Sequence, residues 1–207
     1  MASIAILLRS CENFVTRRDF KMTTAPQPMT STNVQTPAAP VAPQPEPWLR
    51  GTYTELPAVL RGVLHAFDLS REDVLHWCAG LSETDLNASP SGLTPISYHL
   101  RHIPRSLDRL LTYAEGNQLS SEQIAMLKRE SEPGSTREEL FTEFQEGIES
   151  AATRVRAFAG ADLEQPRGVG KKQLPTSVGG LLVHLADHTQ RHAGQIVTTA
   201  KVLKTGR

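Results

Sequence analysis

The chain is predicted to be all-α, a four-helix bundle preceded by a disordered N-terminal tail. Three observations lead there. Apolar residues recur at three- and four-residue steps in four long stretches after Trp48. No stretch alternates convincingly enough to be a strand of a sizeable sheet. Aromatic content is only 5% of 207 residues, which suits an aliphatic, alanine-rich helical core. Four amphipathic helices around one core is the economical solution.

The first helical stretch, "ELPAVLRGVLHAFDLSREDVLHWCAGLS", carries Leu56, Val59, Leu60, Val63, Leu64, Phe67, Val74, Leu75, Cys78 and Leu81 in period. Pro57 suits a first-turn position. "NASPSGL" reads as a loop. The second helix is expected from about Pro95 to Tyr113, with Gly116 as its stop. Pro104 lies inside it and should kink or restart it, since proline cannot donate to the carbonyl of Leu100. A short helical piece, Ser121 to Arg129, leads into the turn "ESEPGST". Thr136 followed by Glu139 forms a capping-box signature, which opens the third helix. "EQPRGVGKKQLP" reads as a long polar loop with at most a short extended piece. The last helix starts near Thr176 or Ser177 and runs to about Lys204. The connection lengths leave open whether the topology is up-down-up-down or contains a crossover.

The N-terminal portion differs from the rest. Residues 1–47 are expected to be a disordered extension and 48–207 the bundle domain. From Met22 to Pro47 the chain is rich in proline, threonine and alanine, too poor in apolar side chains to offset its ordering entropy. Met22 and Met29 are alternative starts. "MASIAILLRSC" lacks a basic residue before its apolar run, so it makes a poor secretory signal, and Glu12 and Asp19 interrupt a transit-peptide pattern.

Charge is balanced, with 22 basic and 22 acidic side chains, and there is no basic stripe. Nucleic acid is therefore not an expected partner. Nothing approaches an uninterrupted apolar membrane span, so no membrane partner is expected either. Cys11 and Cys78 match no disulfide or metal spacing, which fits a reducing compartment; a cytoplasmic location is expected.

Five of seven histidines fall in two helices: His99 and His102 in "SYHLRHI", and His184, His188 and His192 in "LLVHLADHTQRHAGQIV". Residues four apart on a helix have Cβ atoms about 5–6 Å apart and can share one ion. Residues eight apart are separated by about 12 Å of rise and cannot. The ladder is thus one ligand pair plus a bystander, either His184/His188 or His188/His192. A third nitrogen from His99 or His102 would complete an open tripod, the usual arrangement for reactive metal sites. Spacing alone leaves four combinations. A helix-borne histidine is commonly just a half-buried, hydrogen-bonded polar group, but two such helices in one small bundle shift the balance towards ligands. "HTQRH" lacks the glutamate of an HExxH peptidase helix, and no GxSxG elbow, phosphate loop or dinucleotide fingerprint is present.

"PISYHLRHIPRSLDRLLTYAEG" followed by "SVGGLLVHLADHTQRHAGQIVTTAKVL" resembles the DinB-like proteins of the DinB/YfiT metal-binding superfamily, over about residues 50 to 204. The resemblance implies a four-helix bundle, often with a crossover, and often a homodimer. It implies one divalent ion, zinc or nickel, held by a histidine of the second helix and an HxxxH pair of the last. The family's last-helix motif, similar to H-x-x-x-H-x-G-Q, falls on His188, His192, Gly194 and Gln195. The second-helix ligand, before an aliphatic residue and about seven residues past the helix entry, falls on His102 before Ile103. The implied ligands are His102, His188 and His192, with His99, His184 and Gln195 as groups that could support them from outside. Gly194 has a competing reading as a point of close helix approach.

The function this implies is that of a metal-dependent enzyme of thiol-transferase or hydrolase type, acting on a small molecule, with a low-molecular-weight thiol as partner. A bundle with a structural ion or a protein-binding role is the alternative. Asp108 and Asp187 are candidate supporting carboxylates or bases, with surface ion pairing as the competing reading. Cys78, beside Trp77, reads as core packing before it reads as a nucleophile.

Overall fold

The computed structural model describes residues 44–132 and 134–206. Of the extension expected to be disordered over 1–47, residues 1–43 lie outside the described residues, whereas 44–47 are described and Pro47 is buried at the start of a 3-10 turn. Six helices follow a 3-10 turn at Pro47–Leu49: α1 (Ala58–Trp77), α2 (Glu83–Asn87), α3 (Ile96–Ala114), α4 (Ser121–Lys128), α5 (Arg137–Arg156) and α6 (Val178–Thr205). The long helices α1, α3, α5 and α6 form the bundle. Among the described residues the fold is all-α apart from one small hairpin, β1 (Pro166–Val169) with β2 (Leu174–Ser177).

Round the bundle the order is α1, α6, α3, α5. Cross-helix contacts give the directions. Gln190 bonds Ala66 and Ser70 while Lys201 lies over Trp77, so α1 and α6 run parallel. His99 meets His192 and Ser106 meets His188, so α3 and α6 are antiparallel. Arg105 pairs with Glu143, and Asp108 with Arg154, so α3 and α5 are parallel. Two parallel neighbours cannot be joined by a tight turn. The segment between them, which contains α4, is therefore a crossover that travels back along the bundle.

The core is built from the periodic positions: Leu60, Leu64 and Phe67 of α1, Leu100, Ile103 and Leu107 of α3, Phe144 and Ile148 of α5, and Leu182, Leu185 and Ile196 of α6, all essentially inaccessible. Burial of each such side chain contributes about 1.5–3 kcal/mol.

Four local expectations change. The first stretch is not one helix to Leu81. It ends at Trp77, Gly80 takes a left-handed conformation (φ +75°), and Ser82 with Asp85 forms a capping box that starts α2. The "EQPRGVGKKQLP" loop is the hairpin, turned by Gly170 and Gln173 at positive φ. Its Arg167 donates from Nε to Ala114 O at 2.7 Å, satisfying a carbonyl at the C-terminus of α3. Pro104 does not restart α3, which runs through it from Ile96 to Ala114. The proline ring instead packs on Gly147 of α5, where an added Cβ would lie 2.2 Å from Pro104 Cβ. Close helix approach thus occurs at Gly147 and not at Gly194, whose added Cβ would meet nothing within 4 Å.

Elsewhere the expected signals act locally. Thr136 and Glu139 make the reciprocal capping box of α5. Ser177 caps α6 by accepting from Gly180 N at 3.1 Å, which satisfies one of the free N–H groups at the start of the helix that carries the histidine ladder.

Candidate metal centre

α3 and α6 are adjacent and antiparallel, so the histidine faces of the two helices meet inside the bundle. His102, His188 and His192 each offer one ring nitrogen, and these nitrogens all lie within 4.8 Å of one another. His102 Nε2 and His188 Nε2 are 3.3 Å apart. Two nitrogens bound to one tetrahedral ion at 2.0–2.1 Å stand about 3.3–3.4 Å apart, so this pair has ligand spacing.

The outer ring nitrogens are held by acceptors. His102 Nδ1 lies 2.7 Å from Glu130 Oε2, so its N–H donates to the carboxylate and Nε2 keeps its lone pair for the cluster. Ser106 Oγ donates to Ile103 O at 2.9 Å and lies 3.3 Å from His188 Nδ1, whose N–H it can accept. His192 Nδ1 is 3.0 Å from the Nδ1 of His99, itself almost fully buried behind it. Tyr98 stacks on the His102 ring, with centroids 5.2 Å apart.

Glu130 comes from the crossover, just past α4. It is 3% exposed, and its second oxygen accepts from Arg109 NH1 at 2.6 Å. Burial alone would raise its pKa, but the hydrogen bonds from His102 and Arg109 outweigh burial and hold it below the ordinary carboxylate value. Its backbone is held too. Arg101 NH1 donates to Glu130 O at 3.0 Å and also to Glu132 O. The carboxylate that supports the site is therefore neither Asp108, which pairs with Arg154 and Gln123, nor Asp187, which pairs with Arg191. Sequence reasoning placed Glu130 in a turn; "ESEPGST" contains no periodic signal that could show where the turn is carried.

Burial, together with repulsion from neighbouring imidazoles, pushes His99, His188 and His192 down to about 4; at His192 a hydrogen bond with Gln195 works the other way. These rings are neutral at pH 7 and present lone pairs, as metal ligands must. His184 stands apart, half-exposed, with Nδ1 3.6 Å from Asp187 and its ring edge-on to His188. Cys78 is fully buried and its thiol is pushed up to about 11 by burial, which makes it core packing and a poor nucleophile.

A cavity of about 270 Å³ adjoins the cluster at His102 and His188, with Leu110, Tyr113, Leu119 and Leu127 as its apolar wall. A second, of about 240 Å³, opens on the other side beside His99, Gly194 and Gln195.

A crossover bundle that converges three imidazoles from two antiparallel helices defines a class of helical protein with a metal-competent centre. The chain belongs to the DinB superfamily, whose family model matches residues 66–196, a span that includes all three histidines. No curated protein sequence matches it. No helix among the described residues is long and apolar enough to cross a membrane.

Proposed function

We propose that His102, His188 and His192 hold one divalent ion, zinc or nickel, and that the protein uses it in metal-assisted thiol transfer or hydrolysis of a small molecule. The observation that carries this reading is the 3.3 Å approach of His102 Nε2 to His188 Nε2, with the far nitrogen of each ring held by Glu130 or Ser106. Such support from behind fixes the tautomer and orientation of a ligating imidazole.

When bound on three neutral imidazoles, the ion keeps its full charge and an open position, and lowers the pKa of a bound thiol or water. The chain's own residues supply the rest. Glu130 holds His102 by its Nδ1 proton, Ser106 holds His188, and His99 and Gln195 brace His192. The apolar wall of the 270 Å³ cavity borders the side where His102 and His188 are exposed. Because Cys78 is buried and held protonated, no cysteine among the described residues supplies a reacting thiol.

The reading also includes a homodimer, supported by the superfamily resemblance and by large exposed apolar side chains such as Leu75 on α1 and Val183 on α6. Light scattering over a wide concentration range tests it, and a constant monomer mass rejects it. A structural ion is the weaker reading, since the apolar core is already continuous through all four long helices.

Elemental analysis of untagged protein tests the metal assignment. One equivalent of metal is expected, with chelation removing turnover of a thiol conjugate or ester while leaving helicity in place. Unfolding on chelation, with no activity at any stage, would point to the structural ion.

A further inference from the structure

The cavity beside the histidine cluster contains one permanent charge. Arg109 lines it together with His102, Ser106, His188 and the apolar wall, and no acidic side chain lines it. Arg109 donates to Glu130 from NH1 only. Its Nε and NH2 make no hydrogen bond among the described residues. That edge of a guanidinium is a two-pronged donor matched to a planar carboxylate. The same edge is used in this way twice nearby. Arg105 presents Nε and NH2 to Glu143 at 2.5 and 3.0 Å, and Arg154 presents them to Glu115 at 2.7 and 2.9 Å. In Arg109 it is open.

The charge count points the same way. Glu130 and Arg109 neutralise each other. An ion on the cluster, the reading on which this inference rests, would leave the cavity with its full positive charge in a low-dielectric wall. Arg109 also borders a larger cavity of about 620 Å³, but Asp108, Glu122, Glu143 and Glu146 line that one and would repel an anion. At about 270 Å³, the cavity beside the cluster falls just below the roughly 300–1,000 Å³ of drug-sized sites, so its ligand is small.

We propose that the substrate of this site is a small carboxylic acid with an apolar body, its carboxylate held by Nε and NH2 of Arg109 and its body against Leu110, Tyr113, Leu119 and Leu127. Arg109 thereby selects the substrate, while Glu130 keeps it oriented from the other side.

The test uses the full chain, metal-free and zinc-loaded, with 3-phenylpropionate, its neutral amide and 3-phenylpropylamine as probes in calorimetric titrations. Saturable 1:1 binding of the acid to the metal-free protein is expected, tighter when zinc is present. Loss of a charge-assisted pair should make the amide roughly tenfold weaker, and the amine should not bind. Arg109→Lys should weaken the acid and leave the amide unchanged. Leu127 is 44% exposed, so Leu127→Asp and Leu127→Lys should both fold normally; each loses an apolar contact and should weaken the amide alike, while Leu127→Asp, with a negative charge at the mouth, should weaken the acid further than Leu127→Lys does. Equal affinities for acid and amide, no saturable binding of the acid, or an acid affinity indifferent to both Arg109→Lys and Leu127→Asp would overturn the proposal. Metal content measured on the same samples separates this from the metal reading: acid binding to a chain that takes up no zinc removes only the latter, and full zinc occupancy without acid selectivity removes only the former.

Discussion

Glu130 Oε2 lies 2.7 Å from His102 Nδ1, although the two residues are 28 apart and sit on different segments of the bundle. Metal affinity is expected to depend on that contact. Glu130→Gln keeps the shape but weakens the acceptor, and affinity should fall about 10–100-fold. Competition with a chelator of known strength measures it, alongside circular dichroism to confirm helicity. Unchanged affinity would mean that Glu130 only anchors Arg109 and the crossover.

The three clustered histidines should differ sharply from the two outside. His102→Ala, His188→Ala and His192→Ala should each remove most of the metal, because two neutral nitrogens rarely retain an ion in an open site. His184→Ala should keep near-stoichiometric metal, as His184 is half-exposed and turned towards Asp187. His99→Ala should keep it with weaker binding, having lost the partner of His192 Nδ1. Metal per chain across the five variants decides. Full occupancy in His192→Ala with loss in His184→Ala would move the site one turn up α6.

Acid should destabilise the metal-free protein before its carboxylates titrate. His99, His188 and His192 sit at about 4 in the folded chain against 6.5 for a free imidazole. The unfolded chain therefore binds more protons as pH falls, so their stabilising contribution is complete above about pH 6.5 and is lost between there and 4. Urea midpoints measured from pH 8 to 4 should decline mainly in that window. His99→Ala should flatten the slope, and an unchanged slope would indicate that His99 is not held neutral by burial.

Two glycines should respond oppositely to alanine. Gly147→Ala forces a Cβ to within 2.2 Å of Pro104, and overpacking of this kind costs about 1–3 kcal/mol. Gly194→Ala meets nothing within 4 Å and replaces a helical glycine, a gain of up to about 1 kcal/mol. Thermal denaturation compares them. A stabilised Gly147→Ala would mean that α3 and α5 separate at little cost.

The helices were legible in the sequence because their information is local. A three- and four-residue apolar period in α1, α3, α5 and α6, the Thr136–Glu139 capping box, and histidines spaced by four in α6 each act within one or two turns. Helical rise alone also shows that His184 and His192 cannot share an ion. Which pair of the ladder faces α3, and whether His99 or His102 meets it, depends on how two helices are rotated against each other. Tertiary packing decided that, bringing His102, His188 and His192 together and leaving His99 behind His192. The crossover was undetermined for the same reason: direction between helices is a relation among distant segments, and connection length does not encode it. Glu130, Ser106 and Gly147 carry no periodic signature. Their roles come from what the packed chain sets beside them: an imidazole nitrogen for the first two, a proline ring for the third.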